Sequence, residues 1–211
     1  MAPSNAAVGL IAAIGIALGG WRAVAADAAN PDWPCQQHKV ATLTSAQIWD
    51  GPPVEDLGQW RDNEEIAKLV PVLASRRVPL PEAAAAIERF AAAQPQDRRD
   101  GALKLLFAGL LRTMNNDRAV VMSGIERFQR RQRARAAEIE RQGAAIRQLK
   151  EKAASDETAR AALGEAEERY KWEVRVFTER QESLPIACEV PLQIEQRLFD
   201  LGREIRSRMS D

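Results

Sequence analysis

Cys35, His38 and Cys188 carry the side chains best suited to metal or redox chemistry, and their spacing decides which chemistry is open. Cys35-Gln36-Gln37-His38 has the outline of half a metal site. A covalent haem attachment needs a second cysteine directly before the histidine, and position 37 is Gln. His38 is the single histidine of the chain, which leaves a nitrogen- and sulfur-ligated metal short of ligands. The leading reading is a disulfide between Cys35 and Cys188. It closes a loop of about 150 residues and contributes roughly 4–5 kcal/mol by chain entropy. An intermolecular bond or a free thiol is the alternative.

The other residues give catalysis little to work with. No Gly-rich phosphate loop and no nucleophile-elbow spacing occurs. Carboxylates such as Glu165, Glu167 and Glu168 sit where a solvated helix face would put them. We therefore expect no catalytic residue, no cofactor and no metal. Two clusters are candidates for contact with other molecules. Arg130, Arg131 and Arg133 belong to the densest basic run, which lacks the interleaved aromatics of a nucleic-acid patch. It reads as a salt-bridged helix face, or as a contact for an acidic partner, anionic lipid or cell-wall polymer. Trp33, Trp49 and Trp60 lie in a stretch punctuated by proline and glycine, beside Asp32 and Asp50. They either dock that stretch on a helical body or form a ligand surface that stacks on sugar rings.

The elements that must position these residues are helical. Thirty basic side chains balance thirty acidic ones, so composition alone selects neither nucleic acid nor an anionic membrane. The chain holds 37 alanines, the residue of best helix propensity. Residues 1–25 read as a signal peptide: Ala6 to Gly20 is uncharged and almost wholly apolar, short for a membrane span, and Ala23-Val24-Ala25 fits a cleavage site. Met1 to Asn5 lacks Lys or Arg, so an uncleaved inner-membrane anchor stays open. Residues 26–61 form an irregular arm. Residues 62–116 form a helical base, with Pro71 ending or kinking its first helix, a second helix opening at Pro81, and a core helix over Arg98–Met114. Asn115-Asn116-Asp117 reads as a turn.

Residues 117–184 show the strongest pattern. Ile125, Phe128, Gln132, Arg135, Ile139, Gln142, Ile146 and Leu149 alternate three- and four-residue steps, as do Leu163, Ala166, Tyr170, Glu173, Phe177, Arg180 and Leu184. Folding back near Ala154 pairs Ile146 with Leu163, Ile139 with Tyr170, Gln132 with Phe177 and Ile125 with Leu184, each summing to 309. The alternate layer sums to 308 and sets Arg135 beside Glu173 as a buried ion pair. Residues 117–150 carry nine basic and four acidic side chains, and residues 151–182 carry six and nine. A hairpin thus sets a positive arm against a negative one, although an antiparallel homodimer makes the same contacts between chains. Residues 185–211 hold a last helix, opened by Pro191, that packs on the base through Ile194, Leu198, Leu201 and Ile205.

The expected architecture is all-α: a small helical base with a projecting antiparallel coiled-coil hairpin. The expected role is non-enzymatic interaction or scaffolding in the bacterial cell envelope, periplasmic or secreted, with a protein partner and no nucleic acid. Membrane contact is expected only if the N-terminal segment stays uncleaved. A chaperone-like clamp for unfolded clients, built from several chains, is the runner-up, and a glycan or small-ligand binder using the tryptophan arm is a third reading.

Overall fold

A computed structural model describes residues 30–54 and 57–210. The signal-peptide reading of residues 1–25 lies outside them. The described chain is all-α. A four-residue helix, α1 (Ser45–Ile48), and a 3₁₀ turn at Trp60–Asp62 interrupt the arm; then follow α2 (Glu64–Ala74), α3 (Leu80–Ala93), α4 (Gln96–Ala153), α5 (Glu157–Glu182) and α6 (Leu184–Arg206).

Helix α4 runs through both parts of the molecule. Its 58 residues span about 87 Å at 1.5 Å per residue. Leu103, Leu106, Phe107, Leu110 and Met114 in its first half have no exposed surface. They meet Ile66, Val70 and Leu73 of α2, Ala83 and Ile87 of α3, and Leu198, Leu201 and Ile205 of α6 in one core. The second half of α4 leaves this core and pairs with α5.

Asn115-Asn116-Asp117 is therefore not a turn, and base and hairpin share one helix without a break. Asn is only a mildly poor helix former. Asn115 compensates by clasping the arm: its Oδ1 accepts from the Leu43 N–H at 2.9 Å and its Nδ2 donates to the Leu43 carbonyl at 2.9 Å. Two prolines also depart from expectation. Helix α2 continues past Pro71 to Ala74, and α6 begins at Leu184, with Pro191 inside it. Ser183 stays in the right-handed helical region (φ −79°, ψ −14°), so α5 passes almost directly into α6. Pro185 sits in the first turn of α6, where a missing N–H costs nothing.

Close packing in the base depends on two glycines. A Cβ on Gly109 would sit 3.0 Å from both Trp60 and Val70, and one on Gly202 would sit 3.2 Å from Phe107. The Phe107 ring stacks on Trp49, centroids 4.2 Å apart and planes at 17°. Arg197, buried beside this core, donates from Nε to the Leu73 carbonyl at 2.8 Å, placing a cation at the C-terminal end of α2 where the helix dipole favours it. Burial lowers the Arg197 pKa from its ordinary value.

The glycines give a paired prediction. Gly109→Leu overpacks the core and destabilises by about 1–3 kcal/mol. Gly101→Ala, with nothing within 4 Å of its Cβ, stabilises by about 0.5–1 kcal/mol through helix propensity. Urea unfolding followed by circular dichroism measures both.

Candidate interaction surface of the hairpin

Two side-chain contacts set the register of the hairpin. Gln132 donates from Nε2 to the Phe177 carbonyl at 3.4 Å, and Arg135 meets Glu173 at 2.8 Å. These pairs sum to 309 and 308, the two layers expected from the heptad spacing. At the tip, Asp156 caps α5 by accepting from the Thr158 and Ala159 N–H groups at 2.8 and 3.3 Å. Arg160 donates to the Ala153 carbonyl at 3.2 Å, across the turn. Lys150 and Glu167, 2.8 Å apart, flank the seam and hold the Glu167 carboxyl below the usual range, while hydrogen bonds from Arg141 and Gln142 do the same for Glu138. A lowered carboxyl pKa contributes stability above the unfolded value, and that contribution is lost as pH falls through the folded one.

The seam is only partly closed. Ile125, Gln132 and Ile146 are buried, whereas Phe128, Ile139, Leu163, Tyr170, Phe177 and Leu184 are half-buried. Ala159 is the one buried residue of α5. Two helices cover a seam from two sides and leave its edges to water, and this corrects the reading of Arg135 and Glu173 as a buried ion pair. The Arg135 side chain is 40% exposed, against 14% for Glu173. A pair so placed is worth at most about 1 kcal/mol and acts mainly on register.

The arm lies antiparallel along α4 as a strap. Asp32 meets Arg130 at 2.7 Å and also pairs with Arg133. Further along, Lys39 pairs with Glu126, Arg118 donates to the Val40 carbonyl at 3.2 Å, and Leu43 reaches Asn115. Burial lowers the Arg118 pKa, partly opposed by Glu195 3.7 Å away. The Cys35–Cys188 disulfide fixes the strap to α6, with Cα atoms 5.6 Å apart. Trp33, Met122 and Ile125 pack round it, Trp33 donates to the Gln37 carbonyl at 2.7 Å, and Gln37 donates to the Cys188 carbonyl at 2.6 Å.

This strap redistributes the candidate surface residues. Trp33, Trp49 and Trp60 are 2%, 8% and 7% exposed, so none of them forms a ligand surface. Their rings fill core space between arm and helices instead. Arg130 and Arg133 are engaged by Asp32 and are not a free basic patch. Arg131, on another side of the helix, is exposed. Among the described residues no group of His, Cys, Asp or Glu is arranged to hold a metal ion.

Sequence spacing missed two features. Trp172 of α5 is 59% exposed on the outside of the hairpin; it falls two residues past the seam position Tyr170, which is the signal that excludes it from the seam. The second is an apolar groove of about 360 Å³ at the root of the hairpin. Its α4 wall is Val121, Gly124, Ile125 and Phe128, with Arg131 at one end; the facing wall is Leu184, Ala187 and Val190 beside Ser183. No spacing signals this groove, because it depends on which face of α4 the arm leaves bare. No family model, curated protein or solved structure matches the chain.

The strap predicts a redox-dependent stability. Replacing both Cys35 and Cys188 by serine lowers the unfolding free energy by about 2–5 kcal/mol. Urea titration checks it, and proteolysis should then cut first between Asn30 and Leu43.

Proposed function

We propose that this is an exported, non-enzymatic interaction protein of the bacterial cell envelope, which contacts a protein partner through its hairpin. The observation that supports the reading most is the continuity of α4 from the buried base into an arm whose seam is only half covered. A stiff rod with an open apolar edge presents ridges and grooves to a partner helix without needing a deep pocket. The exposed Trp172 adds the type of side chain that dominates interface energetics.

Export draws support from two features. The disulfide fits an oxidising compartment. The apolar run Ala6–Gly20 followed by Ala23-Val24-Ala25 fits a leader or anchor by its sequence. Among the described residues no helix is long and apolar enough to cross a membrane. The periplasm or the cell exterior is the proposed location.

Photo-crosslinking amino acids at Trp172 and Arg131, incorporated in intact cells, test the proposal. It predicts a discrete adduct with one protein from at least one hairpin position, and none from Val72, an exposed apolar residue of the base. Adducts from Val72 alone, or no discrete adduct at all, would contradict it.

A further inference from the structure

The groove at the root of the hairpin has a shape and charge pattern that specify an occupant. Its walls are two helices running antiparallel, α4 on one side and the α5–α6 junction on the other. From Val121 to Arg131 the wall is about 15 Å long, roughly three helical turns. Lined mainly by apolar side chains of two antiparallel helices, the groove is complementary to a third helix with an apolar stripe. The apolar surface continues outward: Val120 is one turn before Gly124 and is 69% exposed, and Ile186 is one turn before Val190 and is 70% exposed.

The α4 rim of the groove is basic. On the α4 rim the Arg127 guanidinium lies 3.9 Å from where a Gly124 Cβ would be, and Arg131 follows one turn later. Neither makes an ion pair among the described residues, in contrast to Arg130 and Arg133 on the strap side. On the opposite rim, helical spacing puts Glu179 one turn before Ser183 and Arg180 one turn before Leu184, so acid and base offset there.

We infer that this groove binds an amphipathic helix of a partner protein, with its apolar stripe between α4 and the α5–α6 junction and a row of acidic residues against Arg127 and Arg131. The inference rests on the proposed interaction role and names the surface and the partner chemistry that would carry it. Binding completes a local three-helix bundle, covers Phe128 and Leu184, and neutralises the two arginines. Gly124 keeps the groove open, because any larger side chain there enters the space the helix needs.

Two synthetic peptides serve as probes, measured by fluorescence anisotropy against the oxidised chain. Both carry leucines at alternating three- and four-residue spacing; one flanks them with glutamates and the other with lysines. The glutamate peptide is expected to bind at least tenfold more tightly than the lysine peptide. Arg127→Glu with Arg131→Glu should invert that preference, and Gly124→Leu should weaken the glutamate peptide at least tenfold. Arg175→Glu, on the exposed surface of α5, should change neither affinity by more than twofold. Because Gly124 has only the flexible end of Arg127 within 4 Å, the leucine variant folds, which circular dichroism confirms. Equal binding of the two peptides, or indifference to both groove variants, overturns the inference. So does sedimentation with anionic vesicles that depends on Arg127 and Arg131 while the peptides fail. A discrete in-cell adduct from Trp172 with no peptide binding removes the groove and leaves the interaction role standing; peptide binding with no in-cell adduct removes that role and leaves the groove.

Discussion

A helix bends sharply only where its sequence gives cause, and across the Gly/Ser pair of α4, Ser123-Gly124, the helix runs without a break from Gln96 to Ala153. That stiffness governs the rest of the molecule. The first half of α4 is locked by side chains with no exposed surface, so the direction of the second half is set by the base. Helix α5 then pairs with a strut that is already positioned, and its almost direct passage into α6 returns the chain to the same core. The hairpin is in this sense one end of a long antiparallel helix pair. The base is the other end, thickened by α2, α3 and the arm.

The strap solves the problem that a two-helix rod has at its root. Where α4 leaves the core, one side would be bare; the arm covers it from Asp32 to Leu43 with an aspartate between two arginines, a lysine–glutamate pair and an asparagine clasp. The disulfide holds this cover to α6 and constrains the unfolded chain over a separation of 153 residues. Covering one side leaves the other as the groove. The same arrangement that stabilises the root thus decides which face stays open.

Much of this was legible in the residues. The heptad spacings located both arms and their register, because period and pairing follow from side-chain positions that a helix fixes. The cysteine pair was legible because no alternative ligand set existed. What misled was local. Asn115-Asn116-Asp117 has turn chemistry, yet a clasp to Leu43, 72 residues away, outweighs it. Pro191 looked like a helix start, yet Ser183 in a helical conformation had already carried the chain through. The tryptophans do dock the arm and two of the three arginines are salt-bridged, both among the readings the sequence offers, but only the arm's path separates these from a ligand surface or a free basic patch. The groove depends on what the strap does not cover, and no spacing encodes that.

The two arms pair within one chain in the register set by Gln132–Phe177 and Arg135–Glu173. Spin labels at Arg141 and Glu168, which also sum to 309 and are both exposed, test it by pulsed dipolar spectroscopy. With helix axes about 8–10 Å apart, pairing within one chain predicts a single narrow distance below roughly 25 Å once label arms are added. It also predicts that this distance is unchanged when labelled protein is diluted into unlabelled. A broad or long distribution, or a short distance that disappears on dilution, would contradict it.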